Sequence, residues 1–418
     1  MQYFLQITPQ IAQNGVEKVL SSLGLYGYGG RQYAVVIDAG STGTRVLGFS
    51  FHRSLFDNSL KLDDELWQQV KPGLSWYHDQ PNNCSQGLLE LLDSAKKFVP
   101  KEYWGRTPIT LKATAGLRLL PKEESEEILA VVKKVLENSG FMPEENLIEI
   151  MNPMEEGLYG WFTVNFLLGQ FDNAEKLDQS FVSLDLGGGS TQVTFAPSYY
   201  PVEGLEGRKH FMHDVKFLQK SIKVYSHSYL GLGLMAAKEG ILLASRSNNG
   251  IEVNNDDTKR IKSVCMAGNT TPKDWSFHGN NYHISHMSGQ GDNNYEPCLA
   301  LVQAVISAEN VHTPIELKNR GIAAFSYFFD LAVEHGLLNE GGTEAVIKVG
   351  DYATIARKAC ALGGGEHRFA CMDLTFISGL LTSGYGLPPD KEIQLYKKIN
   401  GHEASWALGL AYNILETK

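Results

Sequence analysis

The chain has 418 residues, of which 43% are hydrophobic and 20% are charged, and its net charge is −10 from 47 acidic and 37 basic side chains. This composition is that of an ordinary globular protein, and the length exceeds what one hydrophobic core usually covers, so we expect two domains. The acidic balance argues against nucleic acid as a partner, because proteins that bind it normally present a basic face.

The start of the chain carries no targeting signal that its residues reveal. Residues 1–6 lack the basic start and the sustained apolar stretch of a secretory leader. Residues 1–30 end in the turn-forming run Gly27-Tyr28-Gly29-Gly30 and are predicted to form an N-terminal extension. Either a leader has been removed from this numbering, or the protein does not enter the secretory route. No run of about 18 apolar residues occurs, so we expect no membrane span.

A glycine-rich loop follows the extension. An apolar run at residues 33–37 leads into Asp38-Ala39-Gly40-Ser41-Thr42-Gly43-Thr44-Arg45, and residues 47–51 then alternate apolar and polar. This order predicts a strand, a tight turn and a second strand. Backbone N–H groups and short hydroxyls in such a turn can converge on an anion, because glycine has no Cβ to block the approach.

Two helices are predicted before the next loop. After a strand-like stretch at residues 110–113 and a turn at residues 114–120, one helical face is marked by Ile128, Val131, Val132 and Val135. Gly140 stands where that helix should stop. Residues 151–161 lead into residues 162–168, which are predicted to begin a buried helix.

A second loop repeats the first in the other half of the chain. Residues 181–184 are apolar and lead into Asp185-Leu186-Gly187-Gly188-Gly189-Ser190-Thr191-Gln192-Val193, which shares with the first loop the spacing of Asp, Gly, Thr and Val. An Asp beside a bound anion would repel it, so the pattern makes sense only if a cation lies between them. Two such loops facing each other across a cleft would form a phosphate clamp around a metal.

The rest of the chain is more polar up to residue 300 and is predicted to form helices at residues 323–335 and 405–415. Alternating strands and helices indicate an α/β protein. The sequence lacks a P-loop, an HExxH zinc motif and a serine-hydrolase elbow. Residues 231–236 formally match a dinucleotide fingerprint but follow no clean apolar strand, so we interpret them as a helix-packing turn. His278, His283 and His286 are interpreted as solvated surface residues.

The cysteines bear on the redox compartment. Two pairs of the five flank polar, glycine-rich loops: Cys265 with Cys298, and Cys360 with Cys371. Two disulfides that staple these loops are one interpretation, and four unrelated buried thiols are the other. Cys84 would then be the odd thiol. Glycosylation sequons at Asn83 and Asn269 favour a lumenal or extracellular, oxidising compartment.

Five blocks together resemble the apyrase-type nucleoside triphosphate diphosphohydrolases, a family with the actin, sugar-kinase and heat-shock-ATPase fold. In the family's order they are residues 38–45, 112–120, 155–169, 183–195, and 323–331 together with 405–409. Residues 71–75, 226–231 and 371–374 are most similar to the soluble branch, the secretory-pathway nucleoside diphosphatases that favour UDP and GDP. The resemblance implies a duplicated, two-lobed, ribonuclease H-like α/β fold with the active site in the cleft between the lobes.

The resemblance assigns the chemistry to Glu156. This residue would orient and deprotonate a water that attacks the terminal phosphoanhydride in line. Taken alone, Glu156 could equally be an N-terminal helix charge, a role that Glu155 fits better. Gln192 matches the family position that helps to orient the attacking water, and Arg118 is interpreted as structural.

The resemblance also implies the binding groups. Asp38 and Asp185, with Thr114 facing the same cluster, would hold Mg²⁺ or Ca²⁺ mostly through water. Tyr327 and Phe376 would stack the nucleobase, and Trp406 would form a wall near the metal, although aromatic residues at helical spacing more often pack in the core. The residues expected to hold the phosphates are Ser41, Thr42, Gly43, Thr44, Gly187, Gly188, Gly189, Ser190 and Thr191.

The family pattern finally implies two lobes that close on the substrate. Lobe I would contain residues 31–152 and 403–418 with the first loop, and lobe II residues 153–402 with the second loop and the nucleoside side. The favoured reaction is metal-dependent release of phosphate from nucleoside diphosphates. A broad apyrase that also accepts triphosphates, and a slow actin-like nucleotide switch, are the alternatives. We expect a monomer that resides in the endoplasmic reticulum or Golgi lumen or is secreted.

Overall fold

The computed structural model describes residues 30–54, 58–171, 177–198, 209–217, 220–245, 252–253, 258–267, 271–287, 294–339, 341–362 and 367–417. The extension predicted for residues 1–30, apart from Gly30, and the sequon residue Asn269 lie outside them.

The secondary structure of the described residues alternates between strands and helices. The strands are β1 Gln32–Ala39, β2 Thr44–Arg53, β3 Leu60–Val70, β4 Pro108–Ala113, β5 Met142–Ile150, β6 Val182–Leu186, β7 Ser190–Phe195, β8 Met212–Phe217, β9 Lys220–Leu230, β10 Glu252–Val253, β11 Lys259–Ser263, β12 Lys273–Phe277, β13 Asn280–His286, β14 Ile322–Ser326, β15 Glu344–Lys348, β16 Glu392–Tyr396, β17 Lys398–Ile399 and β18 His402–Glu403. The α-helices are α1 Cys84–Phe98, α2 Ala115–Arg118, α3 Lys122–Glu137, α4 Pro153–Leu167, α5 Leu234–Ala244, α6 Tyr295–Ala308, α7 Tyr327–Glu334, α8 Val349–Leu362, α9 Ala370–Gly379 and α10 Trp406–Glu416. Short 3₁₀ helices occur at Leu74–Tyr77, Pro81–Asn83, Lys101–Arg106, Leu177–Gln179, Lys209–Phe211 and Ile315–Lys318, and a π-helical turn at Leu380–Gly384.

Two sheets are built on the same plan. Sheet I has the order β3-β2-β1-β4-β5, and sheet II has the order β15-β16-β14-β6-β7-β9-β8. In each, the strand before the glycine-rich loop pairs antiparallel with the strand after it and parallel with a later one. The register is also shared, since Asp38 lies opposite Arg45 and Asp185 opposite Gln192. The duplicated α/β fold predicted from the sequence is confirmed.

The central strand β1 is apolar on both faces because each face is covered. Val35 and Ile37 belong to a core with α1 and α3, whereas Ala34 and Val36 belong to a core with α4 and α10. A strand buried on both sides reads as a continuous apolar run, which explains its sequence.

Helices α4 and α10 pack against each other and lie between the two sheets. The cluster that surrounds them includes Phe49 and Phe51 of sheet I and Val224 and Phe325 of sheet II. One apolar core is therefore common to both halves of the molecule, in addition to a separate core in each half.

Two sequence predictions need correction. The helix predicted at residues 323–335 is a strand, β14, up to Ser326 and becomes helix α7 only at Tyr327. A short apolar run fits a buried parallel strand as well as a helix, so periodicity alone could not separate the two. The histidines predicted to be solvated are half-buried, and His283 and His286 bond to Asp274 and to the carbonyl of Met266.

Both predicted disulfides are present. Cys265 is bonded to Cys298 in α6, and Cys360 in α8 is bonded to Cys371 in α9. Cys84 is free and buried, and burial raises the pKa of its thiol to about 11. A thiol with so high a pKa is inert at neutral pH.

Candidate active site

The two glycine-rich loops line one cleft between the sheets. We call residues 40–43 loop 1 and residues 187–190 loop 2. The cleft has a volume of about 280 Å³. Its lining includes Asp38, Gly40, Ser41, Thr42, Thr114, Glu156, Asp185, Gly187, Gly188, Gly189 and Ser190, together with Tyr327 and Trp406. Residues from both halves of the sequence thus surround one small polar cavity.

The two loops have the same backbone hydrogen bond. The N–H of Gly40 donates to the carbonyl of Gly43, and the N–H of Gly187 donates to the carbonyl of Ser190, each over 3.0 Å. The shared spacing seen in the sequence is therefore a shared turn geometry.

The carbonyls of the three glycines of loop 2 are directed toward the segment that leads into helix α5. Gly187 accepts a bond from the N–H of Leu234, Gly188 from Met235 and Ala236, and Gly189 from Gly231, over 2.8 to 3.0 Å. In a planar trans peptide the N–H points opposite the carbonyl. The amides of residues 188–190 consequently point away from α5, as an anion site requires. The segment at residues 231–236, interpreted as a packing turn, supports this loop.

The loops touch each other across the cleft. A Cβ on Gly188 would lie 2.3 Å from Oγ of Ser41 and 3.1 Å from Cγ2 of Thr42, so only glycine allows this approach. Behind loop 2, a Cβ on Gly233 would lie 2.3 Å from the nitrogen of Ser190. These close approaches fix the relative position of the loops.

Three carboxyl groups converge in the cleft. Burial raises the pKa of Asp185 to about 7. A hydrogen bond with Ser326 opposes this shift, whereas the negative charges of Glu156 and Asp38 add to it. Burial also raises the pKa of Asp38, although Arg45 bonds to its carboxylate over 3.2 Å and opposes the shift. The site therefore carries more buried negative charge than its own cations offset.

This excess matches the cation expected from the sequence. Oδ1 of Asp38 and Oδ1 of Asp185 are buried and have no hydrogen-bond partner, and oxygen donors are what Mg²⁺ and Ca²⁺ prefer. Among the described residues, no three His, Cys, Asp or Glu side chains are close enough to hold a metal by themselves. A cation held here would therefore complete its shell with water or phosphate oxygens.

Glu156 is positioned by the start of helix α4. Asn152 caps this helix by accepting a bond from the N–H of Met154 over 3.0 Å, and Pro153 occupies the first helical position. The carboxyl group of Glu156 is buried, and burial raises its pKa, while Arg118 pairs with it and opposes the shift.

Arg118, interpreted from the sequence as structural, thus contacts the proposed base directly. Its Nε and Nη1 are buried without partners. Arg118 belongs to the family block at residues 112–120, which also contains Thr114. Its place in that block was the only feature of the sequence that pointed to the active site.

Five predicted residues do not line the cavity, namely Gly43, Thr44, Thr191, Gln192 and Phe376. Thr44 is buried, Thr191 bonds to the Asp185 carbonyl and the Tyr385 hydroxyl, and Gln192 donates to the hydroxyls of Ser190 and Ser228. Gln192 therefore holds loop 2 in place and has no contact with the cavity in this structure. Phe376 is 1% exposed in the core around α9, so it has no free face for a base.

The rim contains further residues that sequence reasoning missed. Trp67 and Gln69 alternate along β3, Lys71 directly follows the strand, and all three line the cavity, as do Asp330 and Lys397 from the other half. Tyr327 forms a hydrogen bond with Thr42 of loop 1, which links the two halves across the cleft. Alternation on an edge strand was the available signal for the β3 residues.

A duplicated fold with a shared polar cleft defines the class of two-lobed α/β enzymes. The chain belongs to the GDA1/CD39 (nucleoside phosphatase) family, whose model matches residues 29–418. It is accordingly an enzyme with nucleoside phosphatase activity. In the part of the chain that the structure describes, no helix has the length and apolar character needed to cross a bilayer.

Similar proteins agree with this assignment. Ectonucleoside triphosphate diphosphohydrolase 5 of Bos taurus is 36% identical over 397 residues, 93% of this chain and 88% of that protein. Ectonucleoside triphosphate diphosphohydrolase 6 of Rattus norvegicus is 39% identical over 92% of this chain and 82% of its own. The protein of Homo sapiens named nucleoside diphosphate phosphatase ENTPD5 is 35% identical over 92% and 88%.

Solved structures share the fold. A nucleoside triphosphate hydrolase of Neospora caninum aligns with a TM-score of 0.62 at 14% identity over 98% of this chain and 97% of that one. A Ppx/GppA family member of Aquifex aeolicus aligns with a TM-score of 0.51 at 13% identity, over 93% of this chain and 99% of its own.

Proposed function

We propose that the protein hydrolyses the terminal phosphate of nucleoside diphosphates, UDP and GDP in particular, with a divalent cation and a water activated by Glu156. The observation that supports this most is the contact of Ser41 with Gly188 in a cleft that also holds the Glu156 carboxylate. Two anion-binding turns and a buried carboxylate in one cavity are what in-line phosphoanhydride hydrolysis needs.

The loops would hold the phosphates. Amides of loops 1 and 2 and the hydroxyls of Ser41, Thr42 and Ser190 would bind the phosphoryl oxygens, while Thr44 and Thr191 would act from beneath the loops. Asp38, Asp185 and Thr114 would hold Mg²⁺ or Ca²⁺ through water, and the cation would supply positive charge to the phosphoryl oxygens.

Glu156 would take the proton of the attacking water. Burial favours its neutral form and so makes the carboxylate a stronger base, whereas Arg118 keeps it ionised and oriented. Gln192 would act on the water indirectly, by fixing Ser190 of loop 2. Tyr327 and Trp406 lie at the cavity where the nucleoside would leave the loops.

The proposal is tested first with Glu156→Gln. We expect kcat for phosphate release to fall about 10²- to 10⁴-fold, because the amide cannot accept the proton, while nucleotide binding measured by calorimetry persists. Glu155→Gln, in the same helical turn but outside the cavity lining, is the matched control and should keep its activity. Glu156→Asp keeps a charge for Arg118 but withdraws the carboxylate, and it should lose turnover as well. Retained turnover in Glu156→Gln would remove Glu156 as the base.

The diphosphate preference rests on the relatives. One is named a nucleoside diphosphate phosphatase and others are named triphosphate diphosphohydrolases, so a broad apyrase is the second candidate. Phosphate release from UDP, GDP, ADP and ATP, with Mg²⁺, Ca²⁺ or chelator, separates the two. Equal rates with ATP and UDP would favour the apyrase. Activity in chelator would show that hydrolysis does not need a divalent cation. Release over minutes, in place of about 1–1000 s⁻¹, would favour a slow nucleotide switch.

The proposal also includes the cellular compartment and the oligomeric state of the enzyme. We infer a monomer of the secretory-pathway lumen or a secreted protein, because two disulfides form and Asn83 of one sequon is exposed. Glycosylation is proposed at Asn83 and Asn269. Lobes I and II are proposed with the boundaries given by the family pattern.

A further inference from the structure

A second cavity lies between the two halves of the molecule, on the other side of the loops. Its volume is about 520 Å³, larger than that of the catalytic cleft. One wall comes from residues 72–83, and the other from the hairpin of β12 and β13. Pockets for small molecules commonly measure about 300–1000 Å³, so the space suits a ligand of that size.

This cavity adjoins the catalytic cleft at loop 1. The two cavities share only Ser41 and Thr42 among their lining residues. Ser41 touches Gly188, and Met235, which also lines the second cavity, donates its N–H to the Gly188 carbonyl over 2.8 Å. A ligand in the second cavity would therefore lie against groups that hold both loops.

The lining is rich in aromatic rings. Trp76 is 58% exposed, which is unusual for so large an apolar side chain. Opposite it in the hairpin, Trp275 and Phe277 stack with ring centroids 5.5 Å apart and planes 11° apart. Tyr77 also lines the space. Rings of this kind bind flat ligands by stacking.

Polar groups at the same surface select an uncharged ligand. Asn83 donates to Gln80 over 2.7 Å and Ser276 donates to Asn281 over 2.6 Å, which leaves the amide nitrogen of Gln80 as a donor, and Nε2 of His278 is buried without a partner. Among the described lining residues there is no Lys or Arg, whereas Asp79 contributes a carboxylate. The catalytic cleft, by contrast, has Arg45, Lys71 and Lys397. The second cavity thus lacks the cationic side chains that would bind a phosphate.

We propose that the second cavity is a binding site for an uncharged nucleoside, separate from the catalytic cleft. The base would stack on the aromatic side chains, and the amide nitrogen of Gln80, whose oxygen accepts a bond from Asn83, would donate to its edge or the ribose. Because both halves contribute a wall, an occupant would favour the arrangement in which Ser41 touches Gly188. By linkage, nucleoside and phosphate would then strengthen each other's binding.

The test is calorimetric titration of the full chain with uridine and with guanosine. The protein is made without N-glycans, since Asn83 lines the cavity, and imidodiphosphate with Mg²⁺ is present to fill the phosphate loops. We expect binding that Trp76→Ala weakens about tenfold or more and Trp76→Phe preserves, because stacking needs a ring. Val346→Ala, an exposed residue of β15, should bind like the wild type, whereas Tyr327→Ala should weaken only nucleoside that binds in the catalytic cleft. Thermal unfolding of Trp76→Ala serves as the check on folding.

Several results would overturn the proposal. These are the absence of nucleoside binding at millimolar concentration, equal affinity in Trp76→Ala and wild type, and loss of affinity in Tyr327→Ala instead, which would place the nucleoside in the catalytic cleft. Binding of N-acetylglucosamine in place of nucleosides would show that the site takes a different class of ligand. None of these readouts depends on the hydrolytic reaction, so the outcome is independent of the proposed function.

Discussion

Loops 1 and 2 have the same turn in the backbone, but the side chains next to them have different interactions. Both make the same turn bond, yet the first Asp has a cation beside it, Arg45, and the second has a hydroxyl, that of Ser326. The hydroxyl of Thr191 is bonded twice, whereas that of Thr44 is buried without a partner. The two copies therefore have the same turn, whereas the charges and the side-chain hydrogen bonds around it differ.

The difference indicates a division of labour. Loop 2 is fixed by the amides of residues 231–236 and by the bonds of Thr191, whereas Thr44, at the matching position beside loop 1, has a buried hydroxyl without a partner. We expect substitutions in loop 2 to affect stability and catalysis together, and substitutions in loop 1 to affect mainly ligand binding.

Among substitutions in the loops, the largest effect is expected where they touch. Gly188→Ala would place a Cβ 2.3 Å from Oγ of Ser41 and 3.1 Å from Cγ2 of Thr42, so these phosphate-binding side chains or loop 1 itself must move. We expect kcat/KM for phosphate release to fall about 100-fold or more, since a misplacement of about 1 Å at a reacting site can cost that much. Gly105→Ala, where a Cβ meets nothing within 4 Å, is the control. Normal activity in Gly188→Ala would mean that contact between the loops is not needed.

The two Asp residues should respond to different extents without metal. In chelator at pH 8, Asp185→Asn should stabilise the protein by about 2–4 kcal/mol, because it removes a buried carboxylate whose folded pKa is about 7. Asp38→Asn should stabilise it less, since burial raises the pKa of Asp38 too but the substitution also removes the partner of partly exposed Arg45.

The sign of the pH dependence follows from the raised pKa. Folded Asp185 binds its proton more tightly than the unfolded chain does, so this stability is complete below about pH 4 and is lost as the pH rises through about 7. The advantage of Asp185→Asn in thermal unfolding should therefore shrink as the pH falls from 8 to 5. An advantage that is constant with pH would contradict this account.

Thr44 and Thr191 occupy the same position in the two copies, so the same substitution at each compares their contributions to stability. Thr191→Val leaves the Tyr385 hydroxyl and the Asp185 carbonyl without their partner, and should lower the free energy of unfolding by about 1–2 kcal/mol. Thr44→Val removes a hydroxyl that has no partner, so it should change stability little. Urea unfolding of both variants measures the difference. Equal losses in the free energy of unfolding would show that the Thr44 hydroxyl also makes a stabilising hydrogen bond.

The smallest effect is expected at the link between the halves. Tyr327→Phe removes the hydrogen bond to Thr42 but keeps the ring at the cavity. We expect KM for the nucleotide to rise about two- to tenfold with little change in kcat, as for the loss of one hydrogen bond. A fall in kcat alone would indicate that the hydroxyl acts on the reaction and not on binding.

The sequence predicted the features that local patterns encode. The loops, both disulfides and the helix with Ile128 and Val132 on its buried face were recognisable from spacing, and helix α3 indeed ends three residues before Gly140. Contacts made by tertiary packing were not encoded in this way. The proximity of Arg118 to Glu156, the burial of Phe376 and the bonds that occupy Gln192 depend on elements far apart in the chain, which no local period records.

The position of helix α10 has a consequence for biosynthesis. Because this helix, the last element of the described chain, fills the core that Phe49 and Phe51 of sheet I also line, the first half cannot bury those rings while residues 406–416 are still untranslated. Co-translational folding of the N-terminal half must therefore leave an apolar face uncovered until residues 406–416 have left the ribosome, and we expect nascent chains to need a chaperone there.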